Sequence, residues 1–258
     1  MSQFSFAASA RSAVGLVRSG NEDSALIDAQ LVAVADGMGG HAGGEIASAL
    51  AIQTLAKLSR FFVDSAAVGD CVQDLLLNSL YSIDLEIREG TLADPSLKGM
   101  GTTLTTLLIH NNMVSMLHVG DSRAYRLSGN TFEQISIDHT VLQELLSNGV
   151  ISAAEALEHP QRSMLTQALM GEGGLEPALQ IFAGKLKDRY LVCSDGLSGV
   201  LSEREIKSLI KGKDRDEAVN ALIDATYING APDNVTVVIA DVVEESSSVL
   251  ELIGAAQQ

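Results

Sequence analysis

Short runs of apolar and branched residues alternate with turn residues along this chain, a pattern that predicts β-strands. The clearest runs are residues 31–35, 102–109, 113–119, 189–193 and 235–239. The second and third runs are separated by His110-Asn111-Asn112, which predicts a hairpin loop. The first run is apolar at every position, so we expect a strand that is covered on both faces.

Helical spacing of apolar residues predicts two long helices in the first half of the chain. Residues 45–62 form one stripe, and a second stripe runs from Val72 to Ile87. Two later helices begin at capping boxes that open with Ser202 and Asp214. Strands covered on both faces, with helix pairs early and late, predict an α+β fold: a four-layer α-β-β-α sandwich of two mainly antiparallel sheets flanked by helix pairs.

One segment interrupts the strands, and another ends the chain with a different composition. Residues 139–170 contain a further capping box, Ser152 with Glu155, so we expect an insertion that folds over the rim of a site as a mobile flap. Residues 244–258 begin acidic and rich in serine, which predicts a flexible tail. We therefore expect one domain, residues 1–243, that carries the flap insertion at about 139–170.

Charge and cysteine content narrow the functions that this chain can have. Its 258 residues include 17 Lys and Arg against 33 Asp and Glu, a net charge of −16 at pH 7. Such a balance argues against sequence-independent nucleic-acid binding and against docking on an anionic membrane. Two cysteines cannot build a disulfide framework, no signal pattern opens the chain, and no apolar run approaches the roughly 18–20 residues of a membrane span. We therefore expect a cytoplasmic protein.

Four aspartates lie at the ends of predicted strands: Asp36, Asp121, Asp195 and Asp233. A single one would be explained by a turn, but four acids that converge would repel one another unless cations neutralise them. The set contains only oxygen ligands and lacks the His and Cys spacing of zinc sites, which indicates Mg²⁺ or Mn²⁺. A water held between two such ions becomes a nucleophile near neutral pH, suited to attack on phosphorus.

Further chemical groups lie close to these acids in the sequence. Arg18 precedes Glu22 and Asp23, and an arginine can bind a phosphoryl group with two hydrogen bonds, although a surface ion pair would explain the same segment. Residues 37–44 include five glycines, which suit either a phosphate cradle or a flexible turn, without the pattern of a nucleotide P-loop. His41 in this loop is a candidate proton donor to a leaving group, or a structural histidine.

Seven stretches of the chain, in this order, resemble the bacterial form of the metal-dependent protein phosphatase family, also called protein phosphatase 2C. They span roughly residues 12 to 242 and are Val17-Arg18…Asn21-Glu22-Asp23-Ser24, Val34-Ala35-Asp36-Gly37-Met38-Gly39-Gly40-His41-Ala42-Gly43-Gly44, Gly101-Thr102-Thr103, His118-Val119-Gly120-Asp121-Ser122-Arg123, Asp138-His139-Thr140, Cys193-Ser194-Asp195-Gly196-Leu197 and Asp233-Asn234-Val235-Thr236.

The resemblance implies an α-β-β-α sandwich that hydrolyses phosphoserine and phosphothreonine in proteins. It implies that Asp36 bridges two tightly bound Mn²⁺ or Mg²⁺ ions, that the Gly37 carbonyl completes one ion site, and that Asp195 and Asp233 complete the other. A third, weaker ion would be held by Asp121 together with Asp195.

The resemblance also implies roles for residues around the ions. Glu22 and Asp23 would act through metal-bound waters, Arg18 would hold the phosphate, and His41 would be the general acid. Ser163 matches a flap serine that some bacterial relatives add near the metal.

The implied partners are phosphoproteins, including Ser/Thr kinases and their substrates, so the enzyme would reverse bacterial kinase signalling. We expect a monomer with no nucleic-acid partner and no membrane span in this chain. Bacterial relatives can carry a linker and a membrane span after this domain, so we expect either a soluble form or the cytosolic domain of a longer, membrane-anchored protein.

Three other functions compete with this interpretation. A phosphatase with an aspartyl nucleophile usually has a second acid two residues after the first, and residue 38 is Met. A catalytically silent phosphoprotein-binding module would have lost a metal acid, whereas Asp36, Asp195 and Asp233 are all present. In a purely structural protein, the acids would do no more than end strands.

Overall fold

The computed structural model describes residues 4–40, 42–64, 71–152, 155, 164–175, 178–245 and 249–257. Its strands are β1 (Ser5–Ala13), β2 (Asp23–Ile27), β3 (Leu31–Met38), β4 (Gly101–Thr102), β5 (Leu104–His110), β6 (Met113–Val119), β7 (Arg123–Ser128), β8 (Thr131–Gln134), β9 (Ala178–Ala183), β10 (Arg189–Cys193), β11 (Val235–Val243) and β12 (Glu251–Gly254). Its helices are α1 (Gly43–Asp64), α2 (Cys71–Ala93), α3 (Val141–Ser147), α4 (Asp195–Ser198), α5 (Glu203–Ile210) and α6 (Arg215–Ile228), with short 3₁₀ turns at Pro95–Leu97 and Ala255–Gln257.

These strands form two antiparallel sheets, which confirms the predicted α+β sandwich. The first sheet has the order β1-β11-β10-β7-β8, and the second has the order β12-β2-β3-β5-β6-β9, with β4 paired to β3. Helices α1 and α2 pack on the outer face of the second sheet, and α5 and α6 pack on the outer face of the first. A third apolar cluster fills the space between the two sheets.

Strand β3 shows why its sequence is apolar at every position. Val32 and Val34 point into the core between the sheets, whereas Ala33 and Ala35 pack under α1 and α2. Successive side chains of a strand point to opposite faces, so a strand covered on both faces needs apolar residues throughout. The prediction of two covered faces is therefore confirmed.

The hairpin predicted between the second and third apolar runs is also present. Strands β5 and β6 pair from Leu104 opposite Val119 to His110 opposite Met113. Asn111 and Asn112 form the turn with φ of 49° and 62°. Asparagine tolerates this left-handed region better than most residues, which explains the Asn-Asn sequence of the loop.

The prediction of a flexible tail over residues 244–258 is wrong for its described end. Strand β12 pairs with β2, and Ala255 and Ala256 after it are buried. Ile253 packs into the core between the sheets, so a few apolar residues behind the serine run anchor this segment. The prediction relied on the acidic and serine-rich residues at the start of the segment and overlooked these apolar residues.

The predicted insertion at 139–170 is described in part. It begins with α3, which Thr140 caps by accepting a hydrogen bond from the Gln143 N–H at 3.1 Å. The predicted box is present, because Ser152 N–H and Oγ donate to the Glu155 carboxylate at 2.8 and 2.7 Å. The residues that would continue its helix, 156–163, lie outside the described part. No helix of the described residues is long and apolar enough to span a membrane.

Candidate active site

The predicted strand-end acids meet in one cavity at one end of the sandwich, called here the acidic cavity. It has a volume of about 410 Å³. Its lining comprises Arg18, Glu22, Asp36, Gly37, Met38, Gly39, Thr103, Asp121, Leu165, Asp195 and Asp233. The cavity therefore brings together Arg18, Glu22, Gly37 and all four of the strand-end aspartates.

Antiparallel pairing explains this convergence. Asp23 begins β2 and lies directly opposite Asp36 on β3. Asp195 follows the end of β10, and Asp233 precedes the start of β11, so the pairing of these two strands brings both acids to the same end of the first sheet. Two sheets stacked face to face then bring both pairs of acids to one end of the sandwich.

The acids perturb one another strongly. Burial, followed by the negative charges of Asp23 and Asp195, raises the pKa of Asp36 well above its usual range. Burial and the charge of Asp195 raise the pKa of Asp121 to about 7. Burial and the charge of Asp233 raise the pKa of Asp195. Several carboxylates in one desolvated place hold protons more tightly because their charged forms repel.

Asp23 lies deepest in this group, with no exposed surface. Ser194 Oγ donates a hydrogen bond to its Oδ2 at 2.7 Å, but Oδ1 has no partner among the described residues. Burial raises the pKa of Asp23 to about 7 despite the Ser194 hydrogen bond. A buried carboxylate oxygen without a donor is an expensive arrangement, and a water or a cation would relieve it.

The donor set fits hard divalent cations. Clustered carboxylates with raised pKa values and an unpartnered buried oxygen are what such ions neutralise. Among the described residues, no group of three or more histidine, cysteine or acidic side chains is arranged to hold one metal ion. Each ion would therefore have few protein ligands and take the rest from water, as Mg²⁺ commonly does.

Arg18 lies at the rim of the acidic cavity with its side chain half exposed. Its Nη2 donates to Asp233 Oδ2 at 2.7 Å, and this hydrogen bond is the main reason that the pKa of Arg18 is raised. The sequence left two interpretations of Arg18, a surface ion pair and phosphate binding. The ion pair is present, and its partner is the strand-end acid Asp233. It holds the guanidinium beside the cavity.

Glu22 is positioned through the backbone on both sides. Its N–H donates to Asn234 Oδ1 at 2.8 Å, and its carbonyl accepts from the Gly37 N–H at 3.1 Å. A Cβ at Gly37 would overlap the carbonyl oxygen of Gly44, and one at Gly44 would lie 2.6 Å from Glu22 Oε2. These two glycines are therefore required by close packing, whatever the rest of the loop does.

Sequence reasoning assigned no role to the hydroxyl groups that hold Asp36. Thr103 Oγ1 accepts a hydrogen bond from the Asp36 N–H at 3.0 Å and lies 2.7 Å from Ser122 Oγ, next to Asp121. Thr102 Oγ1 donates to the Asp36 carbonyl at 2.9 Å. The available signal was the stretch Gly101-Thr102-Thr103, which is one of the seven that carry the family resemblance.

Asn234 is a second residue whose role the sequence did not reveal. Its side-chain amide donates to the carbonyls of Val14 and Gly20 at 2.8 Å each, while its Oδ1 accepts from Glu22. One side chain thus connects the loop that carries Arg18 to the start of β11. Its position directly after Asp233 was the available signal.

Two predicted site residues, His41 and Ser163, lie outside the described residues. Of the described residues of the predicted flap, Leu165 lines the acidic cavity and pairs as an isolated β-bridge with Thr140. The mobility of this flap stays a prediction.

Comparison with known sequences gives one family. The sequence model described as "Protein phosphatase 2C" matches residues 20–231. The chain is 43% identical over 242 residues to serine/threonine protein phosphatase PstP of Mycobacterium tuberculosis, which covers 91% of this chain but 45% of that protein. It thus spans less than half of this relative's length. It is 32% identical to the serine/threonine phosphatase stp of Listeria welshimeri, over 88% of this chain and 92% of that protein.

Comparison with solved structures agrees. The catalytic domain of PstP, crystallised in complex with two manganese ions, superposes with a TM-score of 0.84 at 40% identity. The match covers 93% of this chain and 99% of that structure.

Proposed function

This chain belongs to the protein phosphatase 2C family, and on that premise we propose that it is a metal-dependent protein serine/threonine phosphatase. It hydrolyses phosphoserine and phosphothreonine at a dinuclear Mn²⁺ or Mg²⁺ centre. The observation that carries the proposal is the acidic cavity, where carboxyl groups with raised pKa values lie beside the half-exposed Arg18.

We assign the ion ligands within this cavity. Asp36 would be shared by two tight ions, the Gly37 carbonyl would help to hold one of them, and Asp195 and Asp233 would hold the other. Asp121 with Asp195 would hold a weaker third ion, and Ser163 is proposed as a further ligand there. When bound, the ions lower the pKa of a coordinated water and offset the charge of the phosphate.

The chain's own residues bind and orient the substrate. Arg18 uses one nitrogen for Asp233, and its other guanidinium N–H groups have no hydrogen bond to the described residues, so they can donate to phosphoryl oxygens. Glu22 in the lining of the cavity, and Asp23, which is buried opposite Asp36, would act through waters bound to the ions. His41 donates a proton to the oxygen of the departing serine or threonine, which is a poor leaving group without it.

Rigid support of the central acid favours this chemistry. Thr102 and Thr103 hydrogen-bond the carbonyl and the N–H of Asp36, so its backbone is fixed before substrate arrives. A site whose groups need no reorganisation stabilises a transition state more effectively than a flexible one.

The partners follow from this activity. Phosphoproteins, including Ser/Thr kinases and their substrates, are the substrate class, and the enzyme reverses bacterial kinase signalling. In this proposal it works as a monomer in the cytoplasm.

A metal-dependent assay tests the proposal. Phosphothreonine and phosphotyrosine peptides are incubated side by side with Mn²⁺, with Mg²⁺ or with EDTA, and released phosphate is measured. We expect turnover of phosphothreonine only with metal, and almost none for Asp36→Asn, because the bridging ligand is lost. Asp224→Asn, which removes one exposed charge from α6, is the matched control. Full activity in excess EDTA would refute the dinuclear centre, and binding without turnover would favour the silent binding module.

A further inference from the structure

A second cavity lies at the opposite end of the first sheet from the acidic cavity. Strand β10 runs from Arg189, which lines this second cavity, toward Asp195 in the acidic cavity. Strand β11 runs the other way, from beside Asp233 to Val243, which also lines it. Asp195 follows Arg189 by six positions, so the two cavities lie roughly 20 Å apart at the rise of an extended strand.

This second cavity, called here the lysine cavity, has a volume of about 760 Å³ and concentrates positive charge. Four of the chain's seven lysines line it: Lys185, Lys187, Lys211 and Lys213. With Arg189, five basic side chains face two acidic ones, Asp188 and Asp241. A chain of net charge −16 has thus collected most of its lysines at one place.

The wall that carries Lys211 and Lys213 is held in place by Arg189. This guanidinium donates to both carboxylate oxygens of Asp241, at 2.6 and 2.8 Å. Its Nη1 also donates to the carbonyls of Ile210 and Lys213, at 2.7 and 2.8 Å. The same arginine therefore neutralises one of the two acids and attaches the lysine loop to the sheet.

The positive charges of the four lysines have no acidic partner among the described residues. In the part of the chain that the structure describes, none of the four lysines forms an ion pair. Like charges gathered around one recess raise the local positive potential and favour an anionic ligand there. An anion that bridges the two lysine-bearing walls would remove this repulsion.

We propose that the lysine cavity is a noncatalytic docking site for a phosphorylated, acidic segment of a protein partner. The identity of that partner as a substrate rests on the proposed function. Nucleotides fit less well, because none of the lining residues is aromatic and a base would have nothing to stack on. An anionic membrane is disfavoured by the net negative charge of the chain. A phosphorylated, acidic protein segment carries several negative groups along its length. Such a segment can contact Lys185 and Lys187 on one wall and Lys211 and Lys213 on the other.

Docking at this distance predicts that the lysine cavity binds one part of a substrate while the acidic cavity acts on another part. A substrate with two phosphorylated sites would bind one in the lysine cavity while the other reaches the acidic cavity. At about 3.3 Å per extended residue, at least six residues must separate them. The lysine cavity then contributes to binding of such substrates and leaves the chemical step unchanged.

Fluorescence anisotropy in EDTA tests the docking site without turnover. The probe is a fluorescein-labelled peptide with two phosphothreonines seven residues apart, and its unphosphorylated form is the reference. Lys211→Gln with Lys213→Gln removes the charge of one wall. Lys185→Gln with Lys187→Asn removes the other, and asparagine is chosen because Lys187 has φ of 70°. We expect each double variant to bind about tenfold more weakly, the sum of two partly exposed ion pairs.

The control removes two exposed charges elsewhere, with Arg88→Gln and Arg204→Gln, and we expect unchanged affinity. Wild-type affinity in both lysine double variants would overturn the proposal. So would full displacement of the peptide by equimolar inorganic phosphate, or variants that lose sedimentation with anionic lipid vesicles but keep peptide affinity. Turnover of para-nitrophenyl phosphate with Mn²⁺ should be unchanged in both variants. Its absence in the wild type would refute the proposed function and leave the binding result standing.

Discussion

Asp23→Asn in the metal-free protein offers a direct test of the buried acid cluster. The wild-type side chain is fully buried, and burial raises its pKa to about 7. Asparagine has nearly the same shape and cannot ionise. Its Oδ1 can still accept the hydrogen bond from Ser194 Oγ. The substitution therefore removes a buried titratable group and changes the packing very little.

The sign of the effect follows from proton linkage. In the unfolded chain Asp23 has a pKa near 3.9, so between about pH 4 and pH 7 the folded state binds a proton that the unfolded state does not. The wild-type protein therefore loses stability as pH rises through this window, and the full cost is present above pH 7. Between pH 5 and pH 8 the loss from Asp23 amounts to about 3 kcal/mol, since two pKa units correspond to about 2.7 kcal/mol.

Asparagine itself lowers the stability of the folded protein, and a comparison of two pH values cancels this contribution. Its amide N–H groups would occupy the place of the unpartnered Oδ1, and an unsatisfied buried donor costs about 1–3 kcal/mol at any pH. The measured quantity is therefore the difference between variant and wild type at pH 8 minus the same difference at pH 5. We expect this quantity to favour the variant by about 3 kcal/mol.

Urea unfolding in EDTA at pH 5 and pH 8 measures it. Asp224→Asn controls for the loss of one negative charge from a chain of −16, because that residue is exposed on α6. We expect the control to follow the wild type at both pH values. A free-energy difference between Asp23→Asn and wild type that is the same at pH 5 and pH 8 would refute the buried, protonated Asp23.

Arg18→Ala should chiefly raise KM for phosphopeptides, because the side chain binds phosphate; a drop confined to kcat would contradict this role. His41→Ala should lower kcat on phosphothreonine peptides by about 10²-fold and less on an aryl phosphate, whose leaving group scarcely needs a proton; equal slowing would leave His41 a loop residue. Asp121→Ala should lower turnover while calorimetric titration with Mn²⁺ still finds the two tight ions, and Ser163→Ala should act more mildly; unchanged activity and stoichiometry would make Asp121 a turn residue. Asp138→Ala should lower the unfolding free energy by about 3 kcal/mol, measured in urea, because the partly buried Arg123 loses its partner.

Local sequence patterns predicted most of the fold because each depends on neighbouring residues. The uniformly apolar run of β3 encoded two covered faces, and Asn111-Asn112 encoded the hairpin turn. The prediction of a flexible tail after residue 243 failed because it, too, used only local composition. The fate of that segment depends on whether Ile253 finds a place in a distant core, and composition does not report it.

The sequence by itself determined which residues could form the site: strand-end acids, a nearby arginine and a glycine-rich loop. Only the tertiary structure decided which of them meet. Asp23 faces Asp36 through strand register, and Ser194 reaches Asp23 across 171 positions of sequence. The hydroxyl support of Asp36 by Thr103 and the gathering of four lysines at the far end also depend on strand order. Residue patterns specify strands, but the pairing of strands distant in sequence is set by packing of the whole core, so these contacts cannot be deduced one segment at a time.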